Sequence, residues 1–323
     1  MTRICVFGAG AIGGYVGARL AKAGVADVSL VARGTHLEAM RAKGLSVTQA
    51  GETYTVHPKV TDDPRGLGRQ DFIIMTLKSH ALPVIADTLA PLIGTDTVLL
   101  FGQNGLPWWY FYKHGGRFDG RVLESVDPGG TLWRKLDPER ALGAVIWQAA
   151  VLGRPGHVIH GFGNRLAIGE PSGEVSARAQ ALSAILGQAG VESPIRPNLR
   201  SEIWLKLWGN LSFNPVSVLT GGTLEGLARD SGTRAVLAAM MEEARTVGEA
   251  LGVKFSVSVE ERLDMAAKVG AHRSSMLQDV EAGRPTELDA LLGAVIELAQ
   301  MTGIATPALK LVYDLARFRV QVA

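Results

Sequence analysis

Short apolar runs recur through the first half of the chain, and segments with helical periodicity separate them. The runs are rich in Val, Ile and Leu, and they lie at Arg3 to Phe7, Val28 to Val31, Asp71 to Leu77 and Thr97 to Phe101. Continuous apolar runs of this length are typical of parallel strands that are buried on both faces. A helix predicted from Ala11 to Ala23 joins the first two runs. The first half is therefore predicted to form an α/β domain with a doubly wound, Rossmann-type sheet.

Two other regions of the first half predict strands that pair in antiparallel fashion. Leu45 to His57 is rich in Val, Thr and Tyr, and its central Ala50-Gly51 indicates the turn of a hairpin. Between Arg121 and Glu170, turns that contain proline interrupt the apolar runs RVLESV, LGAVIWQAAV and RLAIGE. We expect these three runs to be further strands, some of them antiparallel.

The second half of the chain shows helical patterns. A helix predicted from Ser176 to Ala189 is followed by VESPIRPN, whose two prolines interrupt the periodicity and mark a domain boundary. Thr233 to Leu251 has apolar residues at helical spacing, and Ser258 to Glu261 has the pattern of a capping box. We therefore predict two domains, a Rossmann-type domain over residues 1–196 and an all-α domain over residues 197–323.

The composition argues against several classes of partner. Of the 323 residues, 47% are hydrophobic and 20% are charged, and the formal net charge is +2. No tract rich in Lys or Arg indicates a nucleic-acid or membrane surface, and no apolar run approaches the roughly 18 residues of a membrane span. Cys5 is the single cysteine, which argues against disulfides and thiolate metal sites and fits a reducing cytoplasm. His157 and His160 lack ligand-type neighbours, so we interpret them as structural and expect no metal.

The sequence GAGAIGG follows the first predicted strand directly and opens the first predicted helix. In this context Gly8 permits a tight turn, Gly10 lets the backbone approach a pyrophosphate, and Gly13 lets the helix pack closely on the strand. The phosphates would lie against the unpaired N–H groups of the helix N-terminus, at Ala11 and Ile12. A glycine-rich turn that serves packing alone is the alternative. Because the flanking strands and helix fit, we predict that this turn binds a dinucleotide.

The residue that follows the second predicted strand indicates which dinucleotide binds. An enzyme that uses NAD commonly carries an acidic residue there to bind the ribose 2′-hydroxyl, but this chain has VARGTH. Arg33 is placed to bind a 2′-phosphate, which suits the charge and the planar fork of a guanidinium. A surface arginine without a ligand is the alternative. We predict NADP(H) as the cofactor.

Polar residues at helical spacing interrupt the apolar segment SEIWLKLWGNLSFNP, residues 201–215. Lys206, Asn210 and Asn214 are spaced four residues apart, so on a helix they share one face roughly 80° wide. The other faces are mostly Ile, Leu and Trp, which predicts a buried helix whose polar stripe lines a cleft. A surface helix with an ordinary ion pair between Glu202 and Lys206 is the alternative.

Other polar residues follow predicted strands or begin predicted helices. Lys78 and Asn104 come just after two buried strands, where open α/β sheets bind ligands, although ordinary loop residues are the alternative. Ser275 and Glu287 lie in the polar segment HRSSMLQDVEAGRPTELD, where routine helix starts are the alternative. The aromatic cluster WWYFY, residues 108–112, could line a pocket, form a subunit contact or pack in a small core.

Five ordered motifs resemble those of the ketopantoate reductase (2-dehydropantoate 2-reductase) family, and they span nearly the whole chain. They are GAGAIGG, TLKS, QNG, ExWxKLxxNxxxNP and SSMLQDxxxGRxTExD. The resemblance implies an NADPH-dependent reductase of pantothenate biosynthesis, which converts the 2-keto acid 2-dehydropantoate (ketopantoate) into pantoate.

The resemblance also implies a role for each candidate residue. Lys206 corresponds to the general acid of the family, and Glu287 to the acidic residue that works with it on the substrate. Ser275 would bind the substrate carboxylate. The residues expected to position substrate or nicotinamide are Asn210, Asn214 and Asn104, with Lys78 beside the nicotinamide.

Three departures from the family pattern concern the substrate. Leu224 and His272 stand where asparagine is common in the family, and WWYFY replaces a more ordinary helix start after Asn104. These changes leave the redox chemistry in place, so another branched 2-keto acid is an alternative substrate. A non-catalytic NADP(H)-sensing protein is an alternative from another class. The oligomeric state is also open, with a homodimer as one form.

Overall fold

The computed structural model describes residues 1–322, and the chain divides into two compact units. The first unit comprises Met1–Gln103, Trp109–Arg121 and Thr131–Leu199. The second unit comprises Asn104–Trp108, Val122–Gly130 and the chain from Arg200 onward. Two short segments from the first half of the sequence thus belong to the same unit as the helical second half.

The first unit is built on a mixed sheet of nine strands within the described residues. In chain order the strands are β1 Arg3–Phe7, β2 Asp27–Val31, β3 Leu45–Gln49, β4 Glu52–Val56, β5 Lys59–Thr61, β6 Gln70–Met75, β7 Ile93–Phe101, β8 Ala141–Arg154 and β9 His157–Gly169. Across the sheet their order is β4-β3-β9-β8-β7-β6-β1-β2-β5. The pairs β3/β4 and β8/β9 are antiparallel, and the other neighbours are parallel. The predicted Rossmann-type sheet and the hairpin at residues 45–57 are therefore confirmed.

The helices of the first unit flank this sheet. They are α1 Ala11–Ala23, α2 Gly34–Lys43, α3 Leu82–Ile85, α4 Thr131–Leu136 and α5 Ala177–Gln188. Tyr15, Val16 and Leu20 of α1 are fully buried in the main core, together with the apolar residues of β1 and β2. A Cβ at Gly17 would lie 2.4 Å from a Leu30 methyl carbon, so glycine is what allows α1 to pack this closely on β2.

The carboxyl ends of four parallel strands lie at one edge of the sheet. Phe7, the last residue of β1, pairs with Val31 of β2 and with Met75 of β6. Met75 pairs in turn with Phe101, the last residue of β7, and Phe101 pairs with Gly143 of β8. The segments that leave these strands therefore start from one edge of the sheet, where open α/β sheets bind their ligands.

The second unit is helical in the part of the chain that the structure describes. Its helices are α6 Leu199–Thr220, α7 Leu224–Arg229, α8 Ser231–Ala250, α9 Val259–Ala267, α10 Ser275–Glu281, α11 Ala294–Thr302 and α12 Pro307–Gln321, with a π-helical segment at Asp289–Gly293. The predicted capping box is present at the start of α9, between Ser258 and Glu261. None of the helices within residues 1–322 is long and apolar enough to cross a membrane.

Helix α6 is buried on the faces that carry its apolar side chains. Trp204 and Trp208 are fully buried, and the rings of both contact Phe255. The indole nitrogen of Trp208 donates to the carbonyl oxygen of Met241 at 2.7 Å, which satisfies its buried N–H group. The prediction of a largely buried helix at residues 201–215 is therefore confirmed.

The prediction of a strand at RVLESV is wrong, because residues 122–126 form coil and turns. The backbone N–H groups of Glu124 and Ser125 donate to the carboxylate of Glu297, at 2.8 and 2.9 Å. The hydroxyl of Ser125 donates to the same carboxylate. These amides are occupied by a side chain of α11 and cannot pair with a neighbouring strand. The runs LGAVIWQAAV and RLAIGE do form strands, as parts of β8 and β9.

The aromatic cluster WWYFY packs in the protein interior. Trp108, Trp109, Tyr110 and Phe111 are at most 2% exposed. Within the first unit, Phe111 contacts the ring of Phe118, and a Cβ at Gly143 would lie 2.4 Å from the Trp109 ring. Of the three alternatives for this cluster, the structure supports core packing.

Replacing Glu297 should destabilise the second unit without changing the polar residues on α6. Glu297→Ala removes a carboxylate that accepts three hydrogen bonds from Glu124 and Ser125, so we expect the free energy of unfolding to fall by about 1–3 kcal/mol. Denaturant titration measures this change. Glu242→Ala, which removes an exposed carboxylate paired with Arg245, is the control and should change stability by less than about 0.5 kcal/mol. Equal effects of the two substitutions would contradict the role of Glu297.

Candidate functional site

The glycine turn between β1 and α1 is held by its backbone. The N–H groups of Gly8 and Ala9 both donate to the carbonyl oxygen of Val31, at 3.1 and 2.9 Å. Gly8 has a φ of +100°, a conformation that a residue with a side chain adopts only under strain. A Cβ at Gly13 would lie 2.3 Å from the Thr76 hydroxyl oxygen, which itself donates to the carbonyl oxygen of Gly8. Gly8 and Gly13 are thus required by the turn and by the close packing of α1.

Gly10 differs from these two glycines because space is open around it. A Cβ added there would meet a single described atom within 4 Å, the carbonyl oxygen of Gly8 at 4.0 Å. Gly10 is the N-cap of α1, and no side chain of residues 1–322 caps this helix end. The N–H groups of Ala11 and Ile12, in the first turn of α1, therefore have no N-cap side chain to accept from them. An open glycine at an uncapped helix N-terminus fits the phosphates of a dinucleotide.

Arg33 follows β2 and is the N-cap residue of α2. Its backbone is extended and its side chain is exposed, at the sheet edge where the glycine turn also begins. This is the place where a dinucleotide-binding fold contacts the adenosine ribose, so the guanidinium fits a 2′-phosphate there.

His36 supports the glycine turn and was not among the sequence-predicted residues. Its Nδ1 accepts a hydrogen bond from the backbone N–H of Gly156 at 2.9 Å, and its Nε2 lies 2.8 Å from the carbonyl oxygen of Ala9. Because Nδ1 accepts, Nε2 must carry the proton, and the ring is neutral. Burial lowers the pKa of His36, in agreement with this neutral form. The only signal in the sequence was a histidine in the VARGTH segment, which does not identify the carbonyl that it contacts.

Lys78 follows β6 at the same sheet edge and is half-buried. The loop that carries it is tied to the end of β7 by Gln103, whose amide nitrogen donates to the carbonyl oxygens of Met75 and Leu77 at 2.8 and 3.0 Å. Gln103 therefore fixes the segment between β6 and Lys78. In the sequence, Gln103 was recognised only as the first residue of the QNG motif.

In the second unit, α6 carries Lys206, Asn210 and Asn214 at four-residue spacing. Lys206 and Asn210 are partly exposed, and Asn214 is buried. Although part of the Lys206 side chain is exposed, burial of its ammonium lowers the pKa of Lys206 to about 8. The negative charge of Glu287 opposes this effect and raises the pKa. The ammonium of Lys206 and the carboxylate of Glu287 are therefore electrostatic neighbours.

Glu287 is also bonded to Asn104, another of the predicted residues. The side-chain amide of Asn104 donates to a Glu287 carboxylate oxygen at 3.0 Å. The next residue, Gly105, has a φ of +88°, and a Cβ there would lie 2.3 Å from the carbonyl oxygen of Ala290. The N–H of Leu106 donates to that same oxygen at 3.0 Å. Gly105 thus brings the Asn104 segment against the start of the helical segment that follows Glu287, and the two side chains meet.

Ser275 is the exposed first residue of α10, and its neighbour Ser274 is the buried N-cap. The Ser274 hydroxyl accepts from the N–H of Leu277 at 3.1 Å and shares a hydrogen bond with the hydroxyl of Ser217 on α6. This bond ties the start of α10 to α6. The sequence pattern indicated Ser275 but not the anchoring role of Ser274.

Two of the positions at which the sequence departs from the ketopantoate reductase pattern that it resembles lie side by side. The N–H of Leu224 donates to the carbonyl oxygen of His272 at 2.9 Å. Leu224 is the half-buried first residue of α7, and His272 is exposed in the loop before α10. Leu224 and His272, the two departures from the family pattern, are therefore neighbours in the second unit.

Comparison with known proteins identifies the family of the chain. The family model described as ketopantoate reductase PanE/ApbA matches residues 4–173, and the model of its C-terminal region matches residues 198–320. A protein from Mesorhizobium japonicum named 2-dehydropantoate 2-reductase is 47% identical over 315 residues, which is 98% of this chain and 97% of that protein.

Solved structures give the same result. A crystal structure from Ralstonia solanacearum MolK2, assigned to ketopantoate reductase, has a TM-score of 0.94 and 39% identity, and covers 100% of this chain and 98% of that one. A D-mandelate dehydrogenase with NADH and anilino(oxo)acetate has a TM-score of 0.84 over 99% of both chains, but at 21% identity this likeness concerns the fold alone. The resemblance read from the five sequence motifs is confirmed, and the chain belongs to the ketopantoate reductase PanE/ApbA family of oxidoreductases.

Proposed function

We propose that this protein reduces a 2-keto acid with NADPH, and that its substrate is 2-dehydropantoate, which becomes pantoate. The observation that carries the proposal is a buried ammonium, Lys206, whose pKa is raised by the charge of Glu287, together with the hydrogen bond of 3.0 Å from the Asn104 amide to the Glu287 carboxylate. A lysine with a lowered pKa next to a carboxylate is typical of acid-base chemistry. The relative from Mesorhizobium japonicum is named for the same reaction.

The cofactor, when bound, supplies a hydride to the carbonyl carbon of the keto acid. Negative charge then grows on the carbonyl oxygen, and the ammonium of Lys206 stabilises this charge and donates a proton to the oxygen. With a pKa of about 8, Lys206 is mostly protonated at neutral pH and still acidic enough to give up its proton. Glu287 keeps the ammonium protonated, because its negative charge opposes the effect of burial.

The remaining polar groups of the second unit hold the substrate. The exposed hydroxyl of Ser275 donates to the substrate carboxylate, and the α6 amides of Asn210 and Asn214 bind its other polar atoms. The amide of Asn104 orients Glu287 through their hydrogen bond. The substrate thus meets donors placed on α6, on α10 and on the Asn104 segment.

The first unit holds the cofactor. Ala11 and Ile12 offer their N–H groups to the phosphates, with Gly10 providing the space and Gly8 and Gly13 the turn. Arg33 binds the 2′-phosphate that distinguishes NADPH from NADH, and Lys78 lies at the nicotinamide end of the sheet edge.

A second candidate substrate is a branched 2-keto acid without the hydroxyl of ketopantoate. Leu224, which is half-buried, cannot donate to or accept from a substrate hydroxyl as an asparagine would. An unpaired hydroxyl beside an apolar side chain binds less well, and an apolar substrate loses nothing there.

Arg33 should determine the choice between NADPH and NADH. We expect Arg33→Ala to raise KM for NADPH roughly 10- to 100-fold, because it removes a charge-assisted contact to the 2′-phosphate, and to leave KM for NADH almost unchanged. Steady-state kinetics with both cofactors measures this split. Arg41→Ala, which removes an exposed arginine of α2 paired with Asp62, is the matched control. Equal use of both cofactors by the unaltered protein would contradict the assignment.

Lys206 should give the reaction a characteristic pH dependence. Because only its protonated form can donate, we expect kcat for reduction to fall as pH rises through about 8. Lys206→Ala should lower kcat roughly 100-fold or more and should change the Kd of NADPH little. A Lys206→Ala variant with near-normal kcat would contradict the proposed mechanism.

Glu287→Gln should move this pH profile without changing the shape of the site. The substitution removes the negative charge that raises the pKa of Lys206, so kcat should begin to fall at a lower pH. A glutamine oxygen can still accept from Asn104, which keeps the local structure. Glu249→Gln removes an exposed carboxylate of α8 and should leave the profile where it was. If the pH dependence of kcat is the same in Glu287→Gln as in the unaltered protein, Glu287 does not affect the protonation of Lys206 during the reaction.

Leu224 should weaken the preference of the protein for ketopantoate over branched 2-keto acids that lack its hydroxyl. We expect Leu224→Asn to raise the ratio of kcat/KM for ketopantoate over that for 2-oxoisovalerate by roughly 5-fold or more, because an asparagine can pair the substrate hydroxyl. Kinetics with the two keto acids measures the ratio. A strong preference for ketopantoate that Leu224→Asn does not increase would show that this position is neutral.

A further inference from the structure

An arginine of the second unit lacks an acidic partner. Arg262 lies near the start of α9 and is half-buried. Among residues 1–322, no side chain or carbonyl oxygen accepts a hydrogen bond from its guanidinium. Burial lowers the pKa of Arg262, and no carboxylate of the described chain opposes this effect. A desolvated cation without a counter-ion costs free energy, so charges in such places are normally paired.

The acidic residues of α9 do not serve as this partner, because each of them already has another one. The carboxylate of Glu261 is bonded within the capping box at the start of α9. Glu260 and Asp264 both accept from the guanidinium of Arg234, at 2.5 and 2.9 Å. Arg234 thus takes two of the three carboxylates, and Arg262 takes none.

Gly209 of α6 makes room for the Arg262 guanidinium. A Cβ added at Gly209 would lie 2.1 Å from one terminal nitrogen of Arg262, 2.9 Å from its Cζ and 3.5 Å from its Nε. The guanidinium therefore lies against the backbone of α6, in space that any larger residue at position 209 would take. None of its nitrogens is completely covered by the described protein, so a ligand can reach the guanidinium.

This contact lies on the part of α6 that carries Lys206 and Asn210. Gly209 comes three residues after Lys206 and directly before Asn210, so it is about 60° around the helix axis from Lys206 and about 4.5 Å along it. Long side chains on a helix lean toward its N-terminus, so the Lys206 side chain extends away from Gly209. The ammonium and the Arg262 guanidinium are therefore roughly 8–10 Å apart.

Such a separation fits a substrate with two anionic groups. In the proposed function, Lys206 contacts the keto oxygen and Ser275 binds the adjacent carboxylate. A second carboxylate two carbons further along the substrate lies roughly 5 Å from the keto oxygen, and hydrogen bonds of about 2.8 Å at both ends extend this span to roughly 10 Å. A guanidinium suits a carboxylate because its planar fork can donate two parallel hydrogen bonds.

We propose that Arg262 binds a second carboxylate of the substrate, and that the protein therefore also reduces dicarboxylic 2-keto acids. This inference rests on the proposed function, because it uses the same acid and the same cofactor. The keto carbon receives a hydride from NADPH, and the keto oxygen receives the proton of Lys206, which solvent then replaces. The products are a dicarboxylic 2-hydroxy acid and NADP⁺. The second carboxylate keeps its charge and neutralises Arg262.

Kinetics with a pair of keto acids tests this inference. 2-Oxoglutarate carries a second carboxylate at the required distance, whereas 2-oxohexanoate has a linear chain of similar length and no second charge. We expect kcat/KM for 2-oxoglutarate to exceed that for 2-oxohexanoate roughly tenfold or more in the unaltered protein. Arg262→Met should abolish this preference, because methionine fills similar space without a charge. Arg229→Met, which removes an exposed arginine of α7 paired with Glu225, is the matched control and should keep the preference.

Gly209→Ala provides a second test that leaves the charge of Arg262 in place. The added methyl group displaces the guanidinium from α6, so the preference for 2-oxoglutarate should fall in this variant too. Alanine is a better helix former than glycine, so the melting temperature should fall by no more than a few degrees. A loss of preference in a stable protein distinguishes substrate binding by Arg262 from a role in packing alone.

The outcomes separate this inference from the proposed function. Equal kcat/KM for the two acids in the unaltered protein, or an unchanged ratio in Arg262→Met or Gly209→Ala, would show that Arg262 does not bind the substrate. An equal loss of kcat/KM for both acids in Arg262→Met would indicate a structural role and would also overturn the inference. If the unaltered protein reduces ketopantoate but not 2-oxoglutarate, the inference is wrong and the proposed function stands. If it reduces no 2-keto acid with NADPH, the proposed function itself is wrong.

Discussion

The protonation of Lys206 depends on a balance between burial and one neighbouring carboxylate. Burial of the ammonium favours loss of its proton, and Glu287 favours its retention. The result is a pKa of about 8, which leaves the group charged at neutral pH but close to the range in which it can transfer a proton. The acid role that we propose for Lys206 depends on this balance.

Much of the second unit serves to place Glu287 and α6. The Asn104 segment comes from the first half of the sequence, and Gly105 allows it to lie against Ala290, so that Asn104 can bond Glu287. Glu297 anchors the other early segment through the amides of Glu124 and Ser125. Both carboxylates thus bind parts of the chain that are distant in sequence, which explains why these short segments belong to a unit of helices.

The first unit concentrates its polar features at the edge of a sheet whose interior is apolar. The glycine turn is supported from one side by Thr76 and from the other by neutral His36. Gln103 ties the segment after β6 to the end of β7. Thr76 and Gln103 follow the ends of β6 and β7, where the backbone no longer pairs within the sheet and polar side chains or ligands take over.

The sequence by itself determined the elements whose causes are local. The bounds of β1 and α1 were predicted to the residue, because the apolar run and the glycine spacing act within a few positions. The α6 helix and its row of Lys206, Asn210 and Asn214 were predicted for the same reason, and the motif order was enough to indicate the family. Tertiary structure decided the rest. RVLESV has the composition of a strand, but its amides bind a carboxylate more than 170 residues away. The partners of Glu287 and His36 depend on which segments fold against one another, and no local pattern of apolar and polar residues encodes such contacts.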